Sequence, residues 1–144
     1  MKKIIAFVSL LFILTTSIYA AGTDSSNEVV KPSSYTSILK MIKEEKYEES
    51  IKALEEILKK SKYQKDPDIL THYAFALRKT KNFSKAEEYY LKALSIDSQH
   101  RGALEYIGEL YVDTKRLDLA NQTLKKLENC RCSEYAELKN YINK

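Results

Sequence analysis

The 144-residue sequence contains only three glycines, two prolines and no tryptophan. Strands joined by tight turns depend on glycine and proline, so this scarcity disfavours a β-sandwich and a Rossmann fold with a glycine-rich loop. Charged residues make up 31% of the chain, and they mix both signs with many leucines, isoleucines, alanines and tyrosines. Such a chain can bury a core and is not disordered. Length and composition together predict one mainly helical domain.

Residues that carry chemistry are also scarce. The only cysteines are Cys130 and Cys132, and the only histidines are His72 and His100. Neither histidine has metal-ligand spacing to the cysteines, so no metal site is predicted, and each histidine is expected to be solvated or hydrogen-bonded. No nucleophile with a positioned base and no phosphate-binding loop is visible. The sequence therefore predicts that the protein is not an enzyme and holds no cofactor.

The first 20 residues have the pattern of a secretory signal peptide. Lys2 and Lys3 precede an apolar run over residues 4–14, and small residues follow at Ala20 and Ala21. Ser9 breaks this run, and its wholly apolar part is too short for a membrane span, which takes roughly 20 residues. Cleavage after Ala20 is therefore predicted, with a periplasmic or secreted protein and no membrane span as the result. An uncleaved signal that anchors an envelope scaffold is the alternative.

Cleavage changes the charge balance of the chain. It removes two of the 24 basic residues and leaves 22 against 20 acidic ones. A nucleic-acid-binding domain usually has an isoelectric point above about 9 with its basic residues on one face. The nearly neutral mature chain thus predicts no nucleic-acid partner. Residues 21–34 are rich in small polar residues and predict a flexible leader before the folded part.

Cys130 and Cys132 leave three alternatives open. Export makes oxidation of the pair reasonable, and a Cys-x-Cys disulfide closes a small, strained ring. The alternatives are a local structural disulfide, free or intermolecular thiols, and a redox-active pair that gives the protein a thiol-redox role. The sequence lacks the helix N-terminal Cys-x-x-Cys context of known oxidoreductases, so the redox alternative comes last.

Residues 35–143 have an uninterrupted helical pattern that boundary signals divide into seven short helices. The strongest boundary is Asp66-Pro67, because aspartate is a good N-cap and proline is tolerated at the first helical position. A constant offset of 34 residues relates two segments of this region. In each segment a small residue of the first helix, Ala74 or Gly108, is expected to lie opposite a small residue of the second. These opposing residues are Ala86 and Ala120.

The repeated pattern resembles the tetratricopeptide repeat family. Repeats 67–100 and 101–132 carry it, and a degenerate repeat over 31–66 has Ile38 in place of the small residue. Residues 133–143 predict a helix that caps the last repeat. The predicted fold is all-α, a short α-solenoid of about three helix-turn-helix repeats with a C-terminal capping helix. The matching positions are Leu70, Tyr73, Ala74, Ala86, Tyr90 and Ala93 in one repeat, and Leu104, Ile107, Gly108, Tyr111, Ala120 and Leu124 in the next.

The resemblance implies that the first helix of each repeat lines a groove for a segment of a protein or peptide partner. Helical periodicity gives this groove an apolar, a basic and an acidic zone, with Phe75 at the centre of the basic zone. Phe75 is the predicted aromatic anchor, and packing against the neighbouring repeat is its alternative. The predicted function is an exported protein-interaction adapter or scaffold, with self-association as a further expectation. The predicted partner-binding residues are Leu39, Ile42, Asp68, Thr71, Phe75, Arg78, Lys79, Glu105, Glu109 and Asp113.

Overall fold

The computed structural model describes residues 30–144, so the predicted signal peptide and most of the predicted leader lie outside the described residues. The described part is all-helical and has no strand. This confirms the predicted fold class. The helices are α1 (Ser34–Lys43), α2 (Tyr47–Leu58), α3 (Pro67–Lys79), α4 (Phe83–Ile96), α5 (Arg101–Asp113), α6 (Leu117–Leu127) and α7 (Ser133–Ile142), and a 3₁₀ turn covers Ser61–Tyr63.

The helices pack as a series of hairpins. Helix α1 packs on α2, α3 on α4 and α5 on α6, while contacts of α2 with α3 and of α4 with α5 join the three hairpins. Helix α7 packs on both α5 and α6. The largest buried apolar cluster runs from Tyr35 on α1 to Ala120 on α6. Within residues 30–144 no helix is long and apolar enough to cross a bilayer.

The three hairpins share one turn geometry. Each turn contains one residue in the left-handed backbone region, with φ of 60°, 64° and 61° at Glu45, Lys81 and Lys115. The next residue in each turn donates its N–H to a carbonyl five positions earlier, as a Schellman-type helix end does. A residue other than glycine is destabilised by roughly 1 kcal/mol in this backbone region. Each of the three turns therefore contains one strained residue. The three bonds are Lys46 N to Met41 O, Asn82 N to Leu77 O, and Arg116 N to Tyr111 O.

The predicted boundary at Asp66-Pro67 is the start of α3. The Asp66 side chain accepts a hydrogen bond from the Ile69 N–H at 3.1 Å, and Pro67 is the first helical residue. The 3₁₀ turn before this boundary buries the ring of Tyr63. The first two repeats are offset by 36 rather than 34 residues, and this turn lies in the segment that contains the extra length.

The last residues of the predicted leader belong to the folded part. Lys31 Nζ lies 2.7 Å from Asp68 Oδ2 and 3.5 Å from Asp66 Oδ2, and it also stands over the ring of Tyr35. Helix α1 then begins at Ser34. The C-terminal end of the predicted leader thus contacts the start of α3, and its last residue is the first residue of α1.

Gly108 has a close neighbour on α7 that the repeat pattern did not predict. An ideal Cβ on Gly108 would lie 2.5 Å from Leu138 Cδ2 and 2.7 Å from its Cδ1, so its nearest neighbours belong to α7 and not to Ala120 on α6. Leu138 is fully buried in a cluster with Leu104 and Leu127. The glycine thus makes room for the capping helix, because a side chain at this position would collide with the leucine that seals the end of the solenoid.

Candidate functional site

The first helices of the three repeats and α7 form one surface, which is termed the first-helix face. Side-chain contacts join these helices in series. The Tyr35 hydroxyl on α1 lies 2.6 Å from His72 Nδ1 on α3, and the Arg78 guanidinium on α3 donates to Asp113 Oδ2 on α5 at 2.8 Å. The Tyr141 hydroxyl on α7 donates to Asp113 Oδ1 at 2.7 Å. The face is therefore continuous across all four helices.

Phe75 is half-buried at the centre of this face. Its ring centroid lies 4.8 Å from that of Tyr106 on α5 and 6.2 Å from that of Tyr47 on α2. Arg78 and Lys79 place their charged groups 5.7 and 5.9 Å from the same ring centroid. The structure thus places Phe75 against the neighbouring repeat, which was the stated alternative, and leaves only part of the ring open to a partner.

The predicted basic and acidic zones are not separate. Arg78 is only 6% exposed, and its guanidinium donates hydrogen bonds to Glu109 and Asp113 on the next first helix. Burial raises the pKa of the Glu109 carboxyl, although the charge of Arg78 opposes that rise. The charge of Arg78 is therefore neutralised within the protein, and the prediction of a separate basic zone is corrected for this residue.

The other predicted residues divide by exposure. Thr71 and Glu105 are buried like Arg78, at 2% and 4% exposure, and Thr71 Oγ1 has no hydrogen-bond partner within residues 30–144. Buried side chains of this kind support the surface more than they contact a partner. Lys79 and Asp113 are exposed, whereas Leu39, Ile42, Asp68, Phe75 and Glu109 are half-buried.

Glu105 faces other carboxylates instead of a cation. Burial is the largest cause that raises its pKa, and together with a hydrogen bond to Glu137 and the charges of Glu137, Glu109 and Glu134 it brings the pKa to about 8. In the described part of the chain, no lysine, arginine or histidine pairs with Glu105, Glu134 or Glu137. Burial and the neighbouring carboxylates therefore favour the protonated form of Glu105.

Replacement of Glu105 with glutamine is expected to flatten the pH dependence of stability. A carboxyl of an unfolded chain titrates near pH 4.3, while Glu105 titrates at about 8 in the folded protein. Between these values the folded state holds a proton that the unfolded state has lost, so the free energy of unfolding falls as pH rises. After allowance for solvent screening, the wild type loses on the order of 2 kcal/mol over this interval.

Urea unfolding at about pH 5, 7 and 8.5 measures this slope. The free energy of unfolding of the Glu105→Gln protein should fall less across this pH interval, and at about pH 8.5 it should be higher than that of the wild type. Glu88→Gln, an exposed position on the outer helix α4, should keep the wild-type slope. Equal slopes for all three proteins would show that Glu105 is ionised in the folded state.

Asp68 holds the repeats together. Its Oδ1 lies 2.9 Å from His100 Nε2, and its Oδ2 lies 2.7 Å from Lys31 Nζ. The hydrogen bond from His100, followed by that from Lys31, keeps the pKa of this carboxyl well below its usual range. His100 Nδ1 accepts the N–H of Ala103 at 3.1 Å and caps α5, so Nε2 is the nitrogen that donates to Asp68. Sequence reasoning assigned Asp68 to partner binding and missed this link.

The structure joins Cys130 and Cys132 in a disulfide with a Cα–Cα distance of 5.2 Å. The pair occupies the turn between α6 and α7, where Cys132 is the N-cap of α7. Both residues are half-buried against the cluster that contains Leu138. Over residues 30–144 no group of histidines, cysteines and carboxylates is arranged to hold a metal ion. The disulfide thus lies beside the cap.

Residues 67–100, which contain α3 and α4, match the tetratricopeptide repeat family. Residues 67–100 are a tetratricopeptide repeat. This confirms the family predicted from the sequence, and the matched residues are one of the two repeats related by the 34-residue offset. No curated protein matches the chain significantly. Phe75 and Arg78 both belong to α3, the first helix of this repeat.

Proposed function

We propose that this protein is a non-enzymatic adapter that binds a segment of a partner protein on the first-helix face. The tetratricopeptide repeat supports the general class, because the fold typically serves as a scaffold for protein interaction. The observation that carries the proposal is the partly open ring of Phe75 at the centre of the face. Aromatic side chains held in this way are common energetic centres of protein interfaces.

The neighbours of Phe75 have different roles in binding. Tyr47 and Tyr106 hold the ring in place, so a partner segment does not have to order it. Lys79 and Asp113 are exposed beside it and supply polar contacts at the rim. Leu39 and Ile42 on α1 extend the apolar part of the surface. Thr71, Arg78 and Glu105 lie beneath and set the shape of the face.

Export is part of the proposal. The basic, apolar and small-residue succession over residues 1–20 supports a cleaved signal peptide and a periplasmic or secreted adapter. The disulfide between Cys130 and Cys132 is compatible with an oxidising compartment. Retention of the signal as an anchor would place the same first-helix face at a membrane surface.

Site-specific photo-crosslinking in cells tests this function. A benzoylphenylalanine probe at Phe75, Lys79 or Asp113 is expected to capture the same partner protein from all three positions. Probes at Glu88 and Lys92, which are exposed on α4, are the matched controls and should not capture it. The intact mass of the recovered protein shows whether the chain starts near Ala21 or at Met1.

Three outcomes would contradict the proposal in different ways. Capture from α4 alone would assign binding to the outer helices. Capture of only a second copy of the chain from the first-helix face would replace the adapter with a self-association interface. A chain that retains Met1 would replace the exported adapter with an anchored one and would leave the assignment of the face unchanged.

A further inference from the structure

A cleft of about 430 Å³ lies at the hairpin-turn end of the first-helix face. Its walls come from the end of α3, the turn after α3, the start of α4, the end of α5, and α7. This volume falls within the range of roughly 300–1,000 Å³ that is usual for ligand sites. The lining residues are Arg78, Lys79, Lys81, Phe83, Asp113 and Tyr141.

The carboxylates on the α5 wall of the cleft are already satisfied by the protein. Asp113 accepts two hydrogen bonds, at 2.8 Å from Arg78 and at 2.7 Å from the Tyr141 hydroxyl, one on each carboxylate oxygen. The other outer nitrogen of Arg78 donates to Glu109, one helical turn before Asp113. Because each acid has a donor of its own, neither has to recruit a cation from a partner.

The two lysines of the cleft have no such partner. Neither Lys79 nor Lys81 forms an ion pair with a carboxylate of residues 30–144, and both are exposed. The ammonium of Lys79 stands 5.6 and 5.9 Å from the ring centroids of Tyr47 and Phe75. Lys81 is the left-handed residue of the turn, and its N–H donates to Arg78 O at 2.9 Å. The backbone of the turn therefore fixes where this second charge begins.

The charges of the cleft favour an anion over a cation. With Arg78, the two lysines supply three positive charges, whereas Glu109 and Asp113 supply two negative ones, and both acids are bonded to protein donors. A carboxylate that enters the cleft can accept charge-assisted hydrogen bonds from exposed ammonium groups. An entering ammonium would meet two like charges and acids that are already engaged, which disfavours a basic segment.

The rest of the lining is aromatic. Phe83, the first residue of α4, and Tyr141 on α7 are half-buried, so part of each ring remains open to the cleft. Aromatic rings of this kind offer a large apolar contact area at little conformational cost. The lining therefore suits an acidic side chain that has an apolar side chain next to it.

We propose that this cleft binds an acidic segment of the partner protein. An aspartate or glutamate side chain of the segment accepts hydrogen bonds from Lys79 and Lys81, and a neighbouring apolar side chain packs on the rings of Phe83 and Tyr141. This inference rests on the proposed function, because it assumes that a protein segment occupies the first-helix face. Lys79 joins the cleft to Phe75, since its ammonium stands over that ring.

Titration with defined peptides, followed residue by residue by nuclear magnetic resonance, tests the charge preference. The probes are a short peptide of alternating glutamate and leucine and its glutamine-leucine and lysine-leucine counterparts. Blocked ends make the glutamate side chains the only carboxylates of the first peptide. This peptide should shift the amide signals of Lys79, Lys81, Phe83 and Tyr141 saturably and bind at least about fivefold more tightly than either counterpart.

Substitution of the lysines tests the site itself. Lys79→Gln and Lys81→Gln should each weaken binding of the glutamate-leucine peptide about threefold, and the double variant about tenfold, because exposed charge pairs contribute little individually. Lys92→Gln removes the same charge from α4 and should weaken binding by less than about twofold. All three positions are exposed, so the variants should fold, which circular dichroism verifies. Added salt should weaken the wild type far more than the double variant.

Equal affinity for the glutamate-leucine and glutamine-leucine peptides would overturn the proposal. Equal weakening by Lys92→Gln, preference for the lysine-leucine peptide, or the absence of shifts at the lining residues would overturn it as well.

Photo-crosslinking from Phe75 in the Lys79→Gln/Lys81→Gln double variant separates this inference from the proposed function. Capture that is lost in the double variant and kept in Lys92→Gln would support both. Capture that is undiminished in the double variant would leave the adapter function in place and overturn the acidic-segment site. Saturable binding of the glutamate-leucine peptide in the cleft, without capture from any position of the face, would support the site and contradict the adapter function alone.

Discussion

Replacement of Arg78 with alanine is expected to lower the free energy of unfolding by about 3 kcal/mol, measured by urea unfolding. Arg78 is buried, and its removal leaves the half-buried Glu109 without its cation. The guanidinium also lies 5.7 Å from the ring centroid of Phe75 and 5.8 Å from that of Tyr141, and these cation–π contacts are lost as well. Since single domains are stable by about 5 to 15 kcal/mol, this change removes a large share of the total.

Arg116, the N-cap residue of α6, offers a control with an ion pair of its own. It donates two hydrogen bonds to Glu87, at 2.9 and 2.7 Å, and so resembles Arg78 in geometry. Its side chain is 37% exposed, however, and exposed ion pairs contribute at most about 1 kcal/mol. Arg116→Ala should therefore cost much less than Arg78→Ala. Equal and small losses for both variants would show that burial adds nothing to the Arg78 pair.

A double variant separates the contribution of the Arg78–Glu109 ion pair to stability from that of side-chain packing. Arg78→Met keeps most of the side-chain volume and removes the charge, and Glu109→Met then removes the stranded carboxylate. The double variant should recover stability relative to Arg78→Met alone, because apolar residues of similar volume often replace a buried ion pair without loss. No recovery would indicate that Asp113, the second partner of Arg78, is the acid that matters.

The fold could be predicted from the sequence because its signals are local. The Asp66-Pro67 boundary depends on two adjacent residues, and the structure starts α3 there. The 34-residue offset depends on small residues that recur within one hairpin, and the matched family segment coincides with it. The shared turn is also local, since Glu45, Lys81 and Lys115 each occupy the same place between two helices.

The pairing of charges on the first-helix face was missed because it joins different repeats. Arg78 meets Glu109 and Asp113, which are 31 and 35 residues away, and Asp68 meets His100 after 32 residues. These separations are close to the length of one repeat, because stacked repeats bring equivalent helices side by side. A search for opposite charges about one repeat apart would have found these ion pairs. It would have predicted one mixed zone in place of a basic and an acidic one.

The burial of Glu105 could not be predicted from the repeat pattern. Its position on α5 follows the pattern of a surface residue, but its side chain is buried, and Glu134 and Glu137 on α7 are close enough to raise its pKa. Helix α7 lies outside the 34-residue period, so the repeat gives no equivalent position from which its contacts could be inferred. For the same reason the contact of Gly108 with Leu138 was not predicted from the sequence.

A double-mutant cycle on Gly108 and Leu138 has the second large expected effect. Leu138→Ala should lower the free energy of unfolding by about 3 kcal/mol, because Leu138 is fully buried and its loss leaves a cavity beside Leu104 and Leu127. Gly108→Ala alone should cost about 1 to 3 kcal/mol, because its new methyl would lie 2.5 Å from a leucine that has no free space to move into.

Gly108→Ala should destabilise the wild type but stabilise the Leu138→Ala variant. In the Leu138→Ala background, Gly108→Ala places a methyl in the vacated space and gains about 1 kcal/mol of helix propensity. Gly102→Ala is the control, since its Cβ would meet other atoms only at 3.8 Å or more, and it should be neutral or stabilising in both backgrounds. Additive effects at Gly108 and Leu138 would mean that α7 does not dock as described. A reversal specific to Gly108 would tie that glycine to the cap.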